Sequence, residues 1–316
     1  MAERRSEREP SRLDRRSVRR AFERAAATYD NAAVLQREVA QRLAERLGVI
    51  RLQPAVVLDA GCGTGDAMSE LRTRYPEALL IGLDLALNMT VAARARLTRT
   101  SIEGSLLRRV WALRALRAPA RAERSQLICA DVEQLPLAPD AVDMVWSNLC
   151  LQWVDDLPGV FAEFRRVLKV DGLLSFTTFG PDTLKELRAA FAAVDGGTHI
   201  NRFVDMHDVG DMLIHAGFGD PVIDMEMITV TYTDPLALMR ELKAIGAHNA
   251  NADRRRGLTG RQGWQRMLAT LDAFRRDGRI PATYEIVYGH AWKPKPRVSA
   301  DGRAIVRFER GRGTHT

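Results

Sequence analysis

The sequence predicts an α/β fold, a mostly parallel sheet with helices on both faces, and three observations carry that expectation. Between Pro54 and Asp182, short apolar runs alternate with helical segments, which is the pattern of strands joined by crossover helices. A glycine turn, Gly61-Cys62-Gly63-Thr64-Gly65, follows the first run and opens a helix. Acidic or amide residues then recur where successive runs end, at Asp59, Asp84, Asp131 and Asn148, and open parallel sheets place ligands at the carboxyl ends of their strands.

Each element has its own signal. Residues 1–16 are charged and lack apolar periodicity, so a disordered arm is expected; Glu3, Glu7 and Glu9 argue against an acid-poor targeting sequence. Residues 17–50 show apolar side chains at helical spacing (Val18, Phe22, Ala26, then Leu35, Val39, Leu43, Leu47), with a break near Tyr29-Asp30-Asn31 and a stop at Gly48. Two short helices, an N-terminal helical lid, are therefore expected ahead of the core. The main domain is placed at 51–297. Within it 55–58, 79–83, 127–130, 142–146 and 173–178 read as buried strands, and the segments after Gly65, Asn88, Leu157 and Asp182 as helices. Two further strands, 222–232 and 284–292, are rich in β-branched or aromatic residues and are expected at the edge of the sheet. Helices near 235–245 and 260–276 separate them, within a helical insertion placed at 233–280. Residues 298–316 are expected to be a flexible tail.

Composition narrows the class. The 316 residues carry a formal charge of +7, and of the 47 basic residues only five are lysine. The charge is uneven: residues 125–253 hold 8 basic against 20 acidic side chains, and 254–316 hold 15 against 5. An acidic partner suits such a basic end, as does a plain solvated surface. No basic stripe is interleaved with aromatics and no zinc-finger spacing occurs, so nucleic acid is not expected. No apolar run is long enough to span a bilayer, no secretory signal opens the chain, and a cytoplasmic protein without stable membrane association is expected. Cys62, Cys129 and Cys150 form neither a disulfide framework nor, with the six histidines, a metal-ligand pattern, so no metal is expected. The segment 98–124, with 7 arginines and 2 glutamates among apolar residues, reads as an amphipathic surface helix, or as a docking element for an acidic surface.

The glycine turn is the most informative segment. It lacks the further G-x-x-G of a dinucleotide site and the Lys-Ser/Thr of a phosphate loop, so a pyrophosphate is not expected on it. Asp59 just before it suits a zwitterionic amino-acid moiety, whose ammonium needs an anionic partner while its carboxylate accepts backbone N–H groups. Asp84, ending the second strand about 20 residues on, is placed to accept both ribose hydroxyls. Asp131 after the third strand can accept from an adenine amine, and Cys62 is expected to be a small buried residue without nucleophilic role.

With those residues in view, the segment 54–180 resembles the Rossmann-like S-adenosylmethionine-dependent methyltransferases of class I. The resemblance implies that Gly61, Gly63 and Gly65 flank the methionine part of the cofactor, Asp84 the ribose, Asp131 and Val132 the adenine, and that Asn148 makes a backbone contact near the sulfonium; Asp59, Cys62 and Leu85 are further cofactor-binding candidates. The flanks narrow it further. Phe22-Glu23-Arg24-Ala25-Ala26-Ala27-Thr28-Tyr29-Asp30, Leu35-Gln36, Asn148-Leu149-Cys150-Leu151-Gln152-Trp153, Phe179 to Leu187, Leu242 to Ala247 and Gly257 to Gly260 are similar to the malonyl-acyl-carrier-protein O-methyltransferases of biotin synthesis. The arginine-rich insertion and both ends depart from that pattern. What the resemblance implies is transfer of a methyl group to the free carboxylate of a malonyl thioester, on acyl carrier protein or coenzyme A, by a monomer. Other acceptors on the same fold, a quinone precursor or a protein side chain, are alternatives, as is an assembly factor related to the arginine hydroxylases of respiratory complex I.

The chemistry asks little of a catalytic residue. A carboxylate is ionised at neutral pH, so no general base is required, and alignment with partial exclusion of water is the main task. Tyr29 and Gln36, in the lid, are candidates to close over the cofactor, and Phe179 to wall the acceptor. For a carboxylate clamp the candidates are Arg202, Lys243, the segment Arg254-Arg255-Arg256 and Arg261.

Overall fold

The structure, a computed structural model, describes residues 13–111, 125–254, 257 and 259–296, with side chains omitted at 100–111. Seven strands form one sheet: β1 (Val56–Ala60), β2 (Leu79–Asp84), β3 (Ser125–Cys129), β4 (Val142–Ser147), β5 (Leu168–Phe179), β6 (Gly219–Tyr232) and β7 (Ile280–Trp292). Their order is β3-β2-β1-β4-β5-β7-β6. The pairs among β1 to β5 are parallel, and β7 runs antiparallel between β5 and β6. Chain order reverses direction beside β1, so the carboxyl ends of β1 and β4 flank the crevice where such sheets bind ligands. Both expected edge strands are in the sheet, with the later one inserted inside the earlier one.

Neighbouring residues of each central strand serve opposite cores, because successive side chains of a strand point to opposite faces. Val57, Leu80, Met144 and Leu173 join one buried cluster, and Leu58, Ile81, Val145 and Leu174 the other. This two-sided burial is why these strands read as continuous apolar runs. The first cluster also holds α3 (Val34–Arg46), α4 (Asp66–Arg74), α7 (Lys185–Ala192), α9 (Pro235–Ala244) and α10 (Arg261–Asp272). On the second face lie α6 (Leu157–Val167) and α8 (Met206–His215). Side-chain caps start several helices: Asp156 accepts from Gly159 N at 3.0 Å, Asp205 from His207 N, and Asp234 from Leu236 N at 3.0 Å. Helix α8 has no counterpart in the sequence expectations. Only Val209 and Leu213 of it are buried and Gly210 interrupts it, so its apolar stripe is too thin to read.

Ahead of the sheet lie α1 (Arg15–Ala25), the single turn α2 (Tyr29–Ala32) and α3. Helix α1 begins inside the segment expected to be an arm, because Asp14 caps it by accepting from Ser17 N at 3.1 Å. Helix α5 (Leu87–Trp111) follows β2. The break expected at Tyr29-Asp30-Asn31 is a separate turn of helix rather than a loop. Residues 1–12, residues 112–124 of the arginine-rich insertion, Arg255, Arg256 and the segment 298–316 lie outside the described residues.

Candidate functional site

The site starts where β1 ends. Gly61 adopts φ +83°, and a Cβ there would come within 2.5 Å of the Cys150 side chain, so both backbone and packing demand glycine. Its N–H and that of Cys62 donate to Leu83 O at 2.7 and 2.9 Å, tying the turn to the end of β2. At Gly63, also with positive φ, a Cβ would meet only the Tyr29 ring, at 4.0 Å. It would occupy the space between the turn and Tyr29, so glycine there leaves the backbone open to close approach. Gly65 caps α4 in the left-handed conformation.

Asp59 is 2% exposed, and its Oδ2 has no hydrogen-bond partner among the described residues. Burial, and then the charge of Asp84, push its carboxyl up to about 8. An unpaired buried carboxyl in the wall of this space is complementary to an ammonium, and this orphan oxygen is the observation that fits the residues to a cofactor with an amino-acid end. Asp84 accepts from Gly63 N through Oδ2 at 3.0 Å and from Ala86 N through Oδ1 at 2.8 Å. Burial raises its carboxyl to about 6, against the lowering effect of those two N–H groups. Each of its oxygens keeps a lone pair for a diol hydroxyl. Burial also pushes Cys150 up to about 12 and Cys62 well above the ordinary thiol range, so both are neutral thiols here.

Two small spaces flank the turn. One, of about 80 Å³, is lined by Asp84, Leu85, Met89, Asp131, Val132 and Asn148 among others. The second, of about 50 Å³, is lined by Asp59, Gly61, Cys62, Gly63, Gln36 and Asn148 among others. The residues expected from the sequence to hold a cofactor thus line one or both of these two spaces, with Gly65 behind the turn.

Asp131 is placed differently from the sequence expectation in one respect. Its carboxylate accepts from Glu133 N at 3.0 Å and forms an ion pair with Arg15 of α1, which also pairs with Glu133 at 2.7 Å. The first residue of α1 therefore sits against the group expected to meet an adenine amine. Asn148 likewise has local work: its Nδ2 donates to Gln36 O at 3.0 Å and its Oδ1 accepts from Thr177 at 2.8 Å, joining α3 to β5.

The lid is held by polar contacts on both flanks. Glu23 accepts from Leu87 N and Asn88 N, both at 2.9 Å, and so caps α5. Asp30 accepts from Thr64 Oγ1 and from Arg96, each at 2.5 Å. Thr28 donates to Ala244 O at 2.8 Å, and Phe22 meets Trp153 edge-on at 5.3 Å. Tyr29, within this lid, lines both small spaces and a third, much larger one. Burial raises its hydroxyl pKa, with Asp84 and Cys150 adding to the effect, so it stays a donor.

That third space is a cavity of about 940 Å³ between the lid, the end of β5, and helices α7 and α9. Its deep wall is apolar, with Phe179, Leu187, Phe191 and Tyr284 each less than 10% exposed. Phe179 packs against Phe203 and Tyr284 at centroid distances of 5.5 and 5.9 Å. Gln36 lines both the cavity and the space of about 50 Å³ beside the glycine turn. Of the clamp candidates among the described residues, Lys243 is in the cavity wall, while Arg202 and Arg261 are exposed and not part of it. Arg24, Arg240, His199, His248 and Gln152 also line it, and the sequence reading did not single them out. His199 stacks on Phe191 at 4.2 Å and contacts Asp195 at 2.7 Å. Arg24 lay inside a segment already flagged by resemblance, but only the fold brings it opposite α9. Among the described residues no group of three His, Cys, Asp or Glu could hold a metal, and no helix is long and apolar enough to cross a membrane.

Comparison with known proteins adds sequence and fold relatives. Residues 58–176 match a family described as a methyltransferase domain. A malonyl-[acyl-carrier protein] O-methyltransferase of Laribacter hongkongensis is 58% identical over 298 residues, covering 93% of this chain and 96% of that protein. One from Gallionella capsiferriformans is 52% identical over 295 residues, with the same coverage of both. The YcgJ protein of Bacillus subtilis, a solved structure, shares the fold with a TM-score of 0.55 at 14% identity, covering 80% of this chain and 98% of that one.

Proposed function

The chain belongs to the family of the malonyl-[acyl-carrier protein] O-methyltransferases, and from that premise we propose how its residues carry a methyl group from S-adenosylmethionine to the free carboxylate of a malonyl thioester. It is an S-adenosylmethionine-dependent methyltransferase of the class I fold. The observation that supports the residue-level reading most directly is Tyr29, shared by both halves of the cofactor crevice and by the 940 Å³ cavity. A donor on one side and an acceptor on the other would meet at that side chain.

Bound in the crevice, the cofactor supplies an electrophilic methyl group on a sulfonium. The protein's part is to hold the two reactants in line and dry. Asp59 takes the ammonium and Asp84 the ribose hydroxyls, while the backbone of Gly61 to Gly63 gives close approach to the amino-acid end. Val132, Leu85 and Met89 enclose the base. On the acceptor side Phe179 and Leu149 exclude water, and Tyr29 and Gln36 offer neutral donors to orient the carboxylate. Neutral donors suit this reaction: the sulfonium is itself the counter-charge, and a tight guanidinium pair would hold the nucleophile back. As carboxylate and sulfonium charges cancel in the transition state, a dry apolar wall favours that state over the separated ions. No group has to remove a proton.

The methyl ester so formed masks a charge and, in this reading, primes a pimeloyl chain for biotin synthesis in the cytoplasm, with the enzyme acting as a monomer. The test is transfer of label from methyl-labelled S-adenosylmethionine to malonyl-acyl carrier protein. A base-labile labelled ester is expected; none at saturating enzyme overturns the acceptor assignment. Tyr29→Phe should then lower kcat about 10- to 100-fold with a smaller effect on cofactor affinity, the loss typical of a misaligned reactant.

A further inference from the structure

The cations of the large cavity are confined to its exposed rim. Arg24, in the last turn of α1, and Lys243, in the last turn of α9, are both exposed while lining it. A close helix junction sets the ends of their two helices side by side: a Cβ at Gly246 would meet Ala25 Cβ at 3.2 Å and Ala21 O at 3.3 Å, and Thr28 donates to Ala244 O beside it. Further along the rim His248 is depressed below the ordinary imidazole range by burial and then by Arg24 and Arg254. The other two guanidiniums nearby are engaged, Arg254 with Asp14 at 3.1 Å and Arg240 with Asp234 at 3.0 Å. Arg24 and Lys243 have no carboxylate partner among the described residues. A cation in a helix's last turn complements the helix dipole, but that alone does not call for two of them to converge on the mouth of one cavity.

An acceptor reacting beside Tyr29 leaves its carrier arm to run out along the apolar wall and through this mouth. We propose that Arg24 and Lys243 form an anion seat at the mouth that takes the phosphate of a 4′-phosphopantetheine arm, the group on which carrier proteins and coenzyme A both present thioesters. The inference rests on the acceptor reading above and deepens it. It separates two anions of one substrate: the malonyl carboxylate, met inside by neutral donors, and the phosphate, met at the rim by charged ones. Phosphate contacts with Arg and Lys are charge-assisted and geometrically tolerant, which suits a long flexible arm.

The test uses the full chain and three acceptors: malonyl-pantetheine, which lacks the phosphate, malonyl-4′-phosphopantetheine, and malonyl-acyl carrier protein. The wild type should favour the phosphorylated small arm over the phosphate-free one by about 10-fold or more in kcat/KM, through KM. In Arg24→Gln/Lys243→Gln that ratio should fall toward one. A wild type indifferent to the phosphate, or a double variant that keeps the wild-type ratio, overturns the seat. A loss seen with the carrier protein alone also overturns it, by assigning the two cations to the carrier's surface, whereas malonyl-coenzyme A should respond as the phosphorylated arm does. Calorimetry with 4′-phosphopantetheine and pantetheine, neither of which can be methylated, separates this inference from the acceptor reading. If no thioester is methylated but the wild type still prefers the phosphorylated arm and the double variant does not, the acceptor reading falls and the seat stands.

Discussion

At Asp59 one buried atom links sequence, stability and binding. Its Oδ2 lacks a partner among the described residues, and its carboxyl is raised to about 8, so at pH 7 the protonated form prevails before a cation arrives. An ammonium beside it favours the ionised form, and binding must then release up to about one proton at pH 7 and fewer at pH 9. Calorimetric titration of S-adenosylmethionine in two buffers of different ionisation enthalpy measures that number directly; heats identical in both at pH 7 would refute the pairing. The stability consequence has a fixed sign. A carboxyl with a raised folded-state pKa contributes stability at low pH that is lost as pH climbs from about 4 through about 8. Asp59→Asn should therefore flatten the decline of the ligand-free protein's melting temperature over that window while weakening cofactor binding at least 10-fold. Gly61→Ala should fail more broadly, since it sets a side chain against Cys150 in a left-handed backbone position. These residues were legible in the sequence because glycine turns and strand-end acids are local patterns. The unpaired state of Asp59 was not, because it depends on which donors the fold leaves out of reach.

Among the elements, the N-terminal helices α1 to α3 line the crevice and the large cavity. The two spaces beside the glycine turn measure about 80 and 50 Å³, against the roughly 300 Å³ or more of an ordinary ligand site, so the segment above them is expected to move when a whole nucleoside with its amino acid enters. Asp30 is the latch on the amino-acid side through Thr64 and Arg96, and Arg15 the latch on the base side through Asp131 and Glu133. Partly exposed contacts of this kind contribute on the order of 1 kcal/mol together. Asp30→Ala is thus expected to speed release of S-adenosylhomocysteine about 3- to 10-fold in stopped-flow displacement; an unchanged off-rate would show that the lid is held elsewhere. The helices of the lid could be read from 3.6-residue periodicity. Their latches could not, since Asp30 and Arg96 are 66 residues apart and the arginine-rich sequence offers many equivalent partners. For the same reason the sequence-based clamp candidates were scattered: periodicity assigns a residue to a helix, but only packing decides that Lys243 lines the cavity while Arg202 and Arg261 do not.

Over the whole molecule, the sheet separates two cores that do different work. The alternation Val57/Leu58, Leu80/Ile81, Met144/Val145 and Leu173/Leu174 sends one residue of each pair to either side, and this was readable as uninterrupted apolar strands without any hint of which side would carry a site. The wall of the large cavity is drawn from the first side, including Phe179, Leu187, Phe191 and Tyr284, and none of its residues belongs to the second cluster. Phe161, Phe164 and Phe176 on that second side are fully buried, with Phe161 and Phe176 at a centroid distance of 5.5 Å. Truncating a buried aromatic removes its transfer free energy and leaves a cavity, about 3–5 kcal/mol in sum. Phe164→Ala and Phe191→Ala should consequently lower stability by comparable amounts in denaturant titration and yet part company in kinetics. At a temperature well below both melting transitions, Phe164→Ala should keep kcat/KM per folded molecule within about twofold, because the sheet lies between it and the acceptor. Phe191→Ala enlarges the cavity and removes the ring on which His199 stacks, so its KM for the thioester should rise about 10-fold or more. If Phe164→Ala raised KM as much as Phe191→Ala, the two faces would be coupled through the strands, and the assignment of the acceptor cavity to the first face alone would fail.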